Sequence, residues 1–240
     1  MPERHRVDRA AAFVLHAYPY AETSLLVEAF TRTDGRLPLL AKGARRPGSS
    51  LRPARLAFQP LAASWSGRGE VRTLVRCEWQ GGQPLLRGQA LLCGFYLNEL
   101  LLRLLPREDP HEALFDHYAM AVARLAAEPE AGPILRAFER RLLQELGYAL
   151  SLEREAGTGA PVDPDRVYRY DPERGAVAPT GAVADAVLIS GRALLEIARD
   201  DYGAPATAQA AKQLMRLAIN YRLDRQPLHS RAIFKELASF

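Results

Sequence analysis

Around Gly81-Gly82 and Pro84 the spacing of apolar residues changes from two to 3.6. A strand shows alternate residues to one face and a helix every third or fourth, so no single element type carries both patterns. The chain therefore reads as a β part followed by an α part. Before the change, Ala12–Tyr18 and Ser24–Phe30 form short apolar runs, and Thr33-Asp34-Gly35-Arg36 leads into Leu37–Ala41. An Asp-Gly pair between apolar runs signals a hairpin. Pro38 cannot donate a ladder hydrogen bond and suits an edge or a bulge. Leu56–Leu61, Ala63–Trp65 and Glu70–Arg76 complete about five strands in roughly seventy residues, the size of a small closed barrel such as an OB-fold.

From Gln89 onward three helices are expected, around Leu91–Leu104, Leu114–Leu125 and Ile134–Leu146, the last stopped by Gly147. Residues 153–183 lose the helical period and are rich in Gly and Pro, with a strand expected at Val167–Tyr170. Ser190 suits an N-cap, and Pro205 opens a long helix. Pro227 ends that helix, and Ser230–Ala238 forms a short terminal one. The expected fold is α+β and multidomain: an OB-fold barrel over residues 1–80, then a helical bundle over 81–240 with a ribbon-like insert near 153–183.

No apolar run approaches the ~18 residues that a membrane span requires. The two cysteines, Cys77 and Cys93, are too few and too far apart for a disulfide framework or a thiolate metal site, and a reducing cytosol is the natural setting. The net charge of +4 is uneven: residues 1–80 carry +6 and the remainder −2. The excess concentrates after the third strand, where Lys42, Arg45, Arg46, Arg52 and Arg55 follow Arg36 with no acid among them. Unpaired Arg and Lys belong on the surface, and each phosphate they neutralise releases a counterion. Arg68 and Arg72 extend the set, and the Gly and Ser of this stretch suggest a flexible loop. Tyr18 and Tyr20, flanking Pro19 in what reads as a loop, are candidates for base stacking, whereas Phe58 and Trp65 suit the core. A second basic run, Lys212, Arg216, Arg222, Arg225, Arg231 and Lys235, is opposed only by Asp224 and Glu236. In the third helix, Arg136 and Arg140 beside Leu142 and Leu146 could receive a short acidic, apolar-tipped peptide.

Catalytic constellations are not found. The five histidines are scattered, Gly67-Arg68-Gly69 and Gly157-Thr158-Gly159 lack the partners of a phosphate loop, and Asp163-Pro164-Asp165 reads as a turn. A binding protein is expected, not an enzyme. An OB-fold RNA-binding factor of ribosome or tRNA maturation is the alternative to a DNA-binding role, and a protein adaptor with an acidic partner is a third reading.

A series of short motifs, in order along nearly the whole chain, resembles the RecO family of bacterial DNA repair proteins. They are Ala12-Phe13-Val14-Leu15, Glu22-Thr23-Ser24-Leu25, Gly35-Arg36-Leu37, Leu40-Ala41-Lys42-Gly43-Ala44-Arg45 and Gly67-Arg68-Gly69-Glu70-Val71-x-Thr73-Leu74. In the helical part come Tyr96-Leu97-Asn98-Glu99-Leu100-Leu101-x-Arg103, Phe138-Glu139, Leu146-Gly147-Tyr148 and Pro227-Leu228-x-Ser230-Arg231. The resemblance implies an N-terminal OB-fold that binds single- and double-stranded DNA and a C-terminal helical domain. It implies a cytoplasmic, nucleoid-associated recombination mediator that anneals complementary strands. Such a mediator helps load RecA onto DNA coated by single-stranded DNA-binding protein. The implied partners are RecR and the acidic C-terminal tail of that coating protein, with Arg136 as a receiving residue. Many members carry a four-cysteine zinc site after the Leu-Gly-Tyr motif. No cysteine stands there in this chain, so neither zinc nor another cofactor is expected.

Overall fold

Five strands close on themselves at the N-terminal end of the chain: β1 (Arg6–Tyr20), β2 (Ser24–Thr31), β3 (Gly35–Ala41), β4 (Leu61–Ser66) and β5 (Arg72–Trp79). They are seen in a computed structural model that describes residues 6–179 and 186–237. The order around the barrel is β1-β2-β3-β5-β4, with β4 returning to β1. Every pairing is antiparallel except the short β3–β5 ladder at Leu39↔Arg72 and Leu40↔Thr73. This five-stranded closed barrel has the OB arrangement. Pro38 lies just outside that ladder, where its missing N–H is not needed. Closing so small a barrel demands sharp bends, and the register shifts at Val7/Ala10, Val14/His16 and Ser64/Trp65 supply them.

Alternate residues fill the interior: Ala12, Val14, Val27, Leu37, Leu39, Leu61, Leu74 and the fully buried Trp65. The β2–β3 hairpin turns where Asp34-Gly35 predicts. Gly35 has φ +68°, and a Cβ there would fall 2.2 Å from the Asp109 carbonyl oxygen, so only glycine fits. One expected strand does not form. Leu56–Pro60 follows a single 3-10 turn at Arg52–Arg55 and stays irregular up to β4.

The chain divides into two compact units, one of residues 1–129 with 228–240 and one of residues 130–227. The expected boundary at 80/81 marks the end of the barrel, but the first unit continues through α1 (Gly88–Leu104) and α2 (Glu112–Ala127). The reason is packing on the outside of the barrel. Phe13 and Phe30 meet the rings of Phe115 and Tyr118 at centroid distances of 5.0–6.1 Å. The buried Asn98 donates to the Leu15 carbonyl (2.8 Å) and accepts from the Tyr118 hydroxyl (2.6 Å), tying α1 to both β1 and α2. The last described helix, α6 (His229–Leu237), also belongs to this unit. Its first turn is bound by Glu99, which accepts from the His229 and Ser230 amides (2.8 and 2.9 Å) and from the Ser230 hydroxyl (2.6 Å). Burial opposes the Glu99 charge, yet these bonds and the nearby Arg103 hold its carboxyl below the ordinary range.

In the second unit, α3 (Ala131–Glu145) ends as its sequence predicts. Gly147 takes φ +81°, its amide reaches the Gln144 carbonyl and the Tyr148 amide reaches Leu143, the double bond pattern of a Schellman cap. The region read as a ribbon-like insert is a three-stranded sheet, with β6 (Val167–Asp171) between β7 (Gly175–Val177) and β8 (Leu188–Ser190). Only β6 was legible from its pattern; the flanking strands are three residues each. Backbone ladders, buried Tyr168 and Tyr170, and an Asp163 amide donating to the Tyr168 hydroxyl (2.9 Å) hold it together. Residues 180–183 of the expected insert and Ala238 of the expected terminal helix lie outside the described residues. Ser190 caps α4 (Gly191–Ala198) by accepting from the Ala193 amide at 3.2 Å, and Pro205 opens α5 (Pro205–Arg222).

Candidate nucleic-acid interface

The connector from β3 to β4 carries the expected cations, and its backbone is more ordered than its glycines and serines suggest. Amide-to-carbonyl bonds Arg46→Gly43, Ser49→Arg46, Arg52→Ser49, Ala54→Leu51 and Leu56→Pro53 make a run of successive turns. Ala44, Leu51 and Ala54 are buried and pin this run to the barrel core. Apolar residues therefore face in, and Lys42, Arg45, Arg46, Arg52 and Arg55 face out. The connector also reaches the β1–β2 turn, because the Arg45 amide donates to the Thr23 carbonyl at 2.9 Å. Arg68, in the turn between β4 and β5, is exposed too. Among the described residues none of these six has a carboxylate within ion-pair distance. Six exposed charges of one sign with no internal partner are free to meet phosphate.

Two residues expected in this set are otherwise engaged. The Arg36 side chain is only 13% exposed; it donates to Glu28 (2.9 Å) and to the Leu105 carbonyl (3.0 Å). Glu28 is itself buried and is shared with Arg107. A buried carboxylate must be paired, so Arg36 is held inside. Arg72 is 12% exposed and pairs with Glu108 at 3.1 Å. Arg36 was read as unopposed because its acid lies eight residues upstream, across a hairpin, outside the basic stretch.

The aromatic candidates are exposed as expected, Tyr18 at 46% and Tyr20 at 53%, but they lie within β1 and not in a loop. They pair with Leu26 and Ser24 of β2. His16, which sequence reading left aside, contacts the Tyr18 ring at 4.2 Å; its alternation with Tyr18 and Tyr20 was the available signal. Trp79 was also missed. It is 55% exposed, and its indole N–H donates to the Gln59 side-chain oxygen at 2.9 Å. Phe58 and Trp65 are core residues, as expected.

The surface expected to receive an acidic peptide is not open. Arg136 pairs with the fully buried Glu139 at 2.9 Å. Arg140 grips Asp200 through two nitrogens, and Asp200 also accepts from the Tyr202 hydroxyl (2.9 Å) and from Arg141 (3.4 Å). Leu142 is fully buried and Leu146 half-buried at the end of α3. Both cations already hold carboxylates of their own unit, and Leu142 is buried in its core. In the second basic run, Lys212, Arg216 and Arg225 are exposed, while Arg222 lies over the Tyr148 ring at 3.9 Å and Arg231 bonds the Tyr96 hydroxyl at 3.2 Å. No helix among the described residues is long and apolar enough to cross a membrane.

Comparison with known proteins agrees with the barrel and the helical region in turn. Residues 6–82 match the family model for the recombination protein O N terminal, and residues 86–232 that for the recombination protein O C terminal. The DNA repair protein RecO of Aromatoleum aromaticum is 52% identical over 237 residues, covering 99% of both chains. That of Azoarcus sp. (strain BH72) is 52% identical over 240 residues with the same coverage. That of Nitrosospira multiformis is 50% identical over 235 residues, covering 98% of this chain and 97% of its own.

Proposed function

The chain belongs to the RecO family of DNA repair proteins, and from that premise we propose that it is a non-enzymatic mediator of recombinational repair. The barrel binds single- and double-stranded DNA along its phosphates through Lys42, Arg45, Arg46, Arg52, Arg55 and Arg68. The supporting observation is their exposure without an internal counter-charge. Contacts of this kind hold any sequence about equally, because phosphates position but do not specify. Two strands held on one cationic surface repel each other less while their bases stay free to pair, which is the physical basis for annealing. RecA loading on DNA coated by single-stranded DNA-binding protein, with RecR and the coating protein's acidic tail as partners, completes the reading. Membership in a repair family favours it over the RNA-maturation alternative.

The test is the annealing rate of complementary oligonucleotides, measured by fluorescence quenching with and without the coating protein. Acceleration that falls when Arg45 and Arg46 are changed to Ala is expected. No acceleration in either case would refute the mediator role. Ribonucleotide oligomers winning a direct binding competition by tenfold would refute the DNA preference.

A further inference from the structure

Beyond its closure the barrel has an extension. The β1–β4 ladder ends at Ala12↔Leu61, with one further bridge at Val14↔Ala57, so among the described residues the segment His16–Tyr20 has a neighbouring strand only on its β2 side. Its alternate residues His16, Tyr18 and Tyr20 are all exposed and share one face. Exposed rings on a strand bury little in the free protein and so add little to its stability. The His16 ring lies against the Tyr18 ring, with centroids 4.2 Å apart and planes inclined at 53°. At the end of this row, Tyr20 pairs with Ser24, whose neighbour Thr23 binds the Arg45 amide. The Ser24 hydroxyl accepts from the Gly43 amide at 3.3 Å, next to Lys42. The ring row therefore runs into the start of the unpaired cations.

We propose that this row is a base-stacking ladder for one single strand, with bases on Tyr18 and Tyr20, His16 as the positioning residue of Tyr18, and phosphates passing to Lys42, Arg45 and Arg46. This rests on the phosphate-binding reading above and adds the feature that separates a single strand from bare polyanion. The geometry matches: a two-residue rise in a strand is about 6.8 Å, roughly twice the 3.4 Å step between stacked bases along one DNA strand. Successive bases separated by one ring would thus keep pace with alternate side chains. Every base has a π face, so the ladder is tolerant of sequence.

The test uses two oligomers of equal length and charge, one single-stranded DNA and one abasic, with binding read by fluorescence anisotropy at low salt. The wild type should favour the base-bearing oligomer by at least about tenfold, given the usual worth of a stacked ring. Tyr18→Leu with Tyr20→Leu should abolish that preference and leave abasic binding unchanged. Tyr18→Phe with Tyr20→Phe should retain it, and His16→Ala should weaken it by a smaller factor. Equal wild-type affinity for both oligomers, or a Leu variant that keeps the preference, would overturn the ladder and leave phosphate binding standing. A Leu variant weakened equally on both oligomers would overturn it as well. Failure of the wild type to bind either oligomer would overturn both readings.

Discussion

Changing Lys42, Arg45 and Arg46 together to Ala removes half of the six exposed, unpaired cations on and beside the barrel. Each side chain faces solvent on a connector pinned by Ala44, Leu51 and Ala54, so the fold should be unaffected. For single-stranded DNA, the logarithm of affinity falls with that of salt by about 0.7 per neutralised phosphate. If all six cations engage, the slope is about −4, and affinity drops roughly 300-fold between about 50 and 200 mM salt. With three left, the slope is about −2 and the drop is roughly 20-fold over the same range. Anisotropy titrations of a labelled oligonucleotide at several salt concentrations give both slopes directly. An unchanged slope in the triple variant would refute the assignment of DNA to this connector and direct attention to Lys212, Arg216 and Arg225. A shallow wild-type slope would refute a phosphate-led interface altogether.

Arg36→Ala should act on stability instead of DNA. It leaves Glu28 buried with Arg107 as its remaining partner, and a loss of about 3 kcal/mol in urea unfolding is expected, with DNA affinity and salt slope of the folded protein unchanged. Gly35→Ala forces a Cβ to within 2.2 Å of the Asp109 carbonyl at φ +68°, and a marked fall in the unfolding midpoint should follow. Glu99 has a lowered carboxyl pKa in the folded state, so its contribution is present above the unfolded value near 4.5 and is lost as pH falls through the folded one. Glu99→Gln should therefore flatten the acid side of the stability–pH curve, measured by urea unfolding from neutral to about pH 3. The buried Cys77 thiol is pushed up to about 12, first by burial and then by Glu78; it should resist iodoacetamide at pH 8 until the protein is denatured, as read by mass spectrometry.

Local chemistry was enough for much of the fold. The change of period at Gly81 separated barrel from helices. Asp34-Gly35 placed the hairpin, Gly147 and Ser190 placed helix ends, and Pro205 opened α5, because each acts within a few residues of itself. The free cations of the connector were legible for the same reason, since their stretch holds no acid. What sequence could not supply was the partner across the fold. Arg36, Arg72 and Arg140 look alike in one dimension to Arg45 and Arg46. They differ because Glu28, Glu108 and Asp200 stand beside them in space, whereas Arg136 has its partner Glu139 three residues on along the same helix. The same holds for β7 and β8, too short to show a period and visible only once β6 lies between them, and for the stacked His16 and Tyr18. Period and capping follow from the covalent geometry of neighbouring residues, and these the sequence by itself determined. Which charges are spent inside the protein and which remain for a ligand depends on approach between distant residues, and only the tertiary structure decided that.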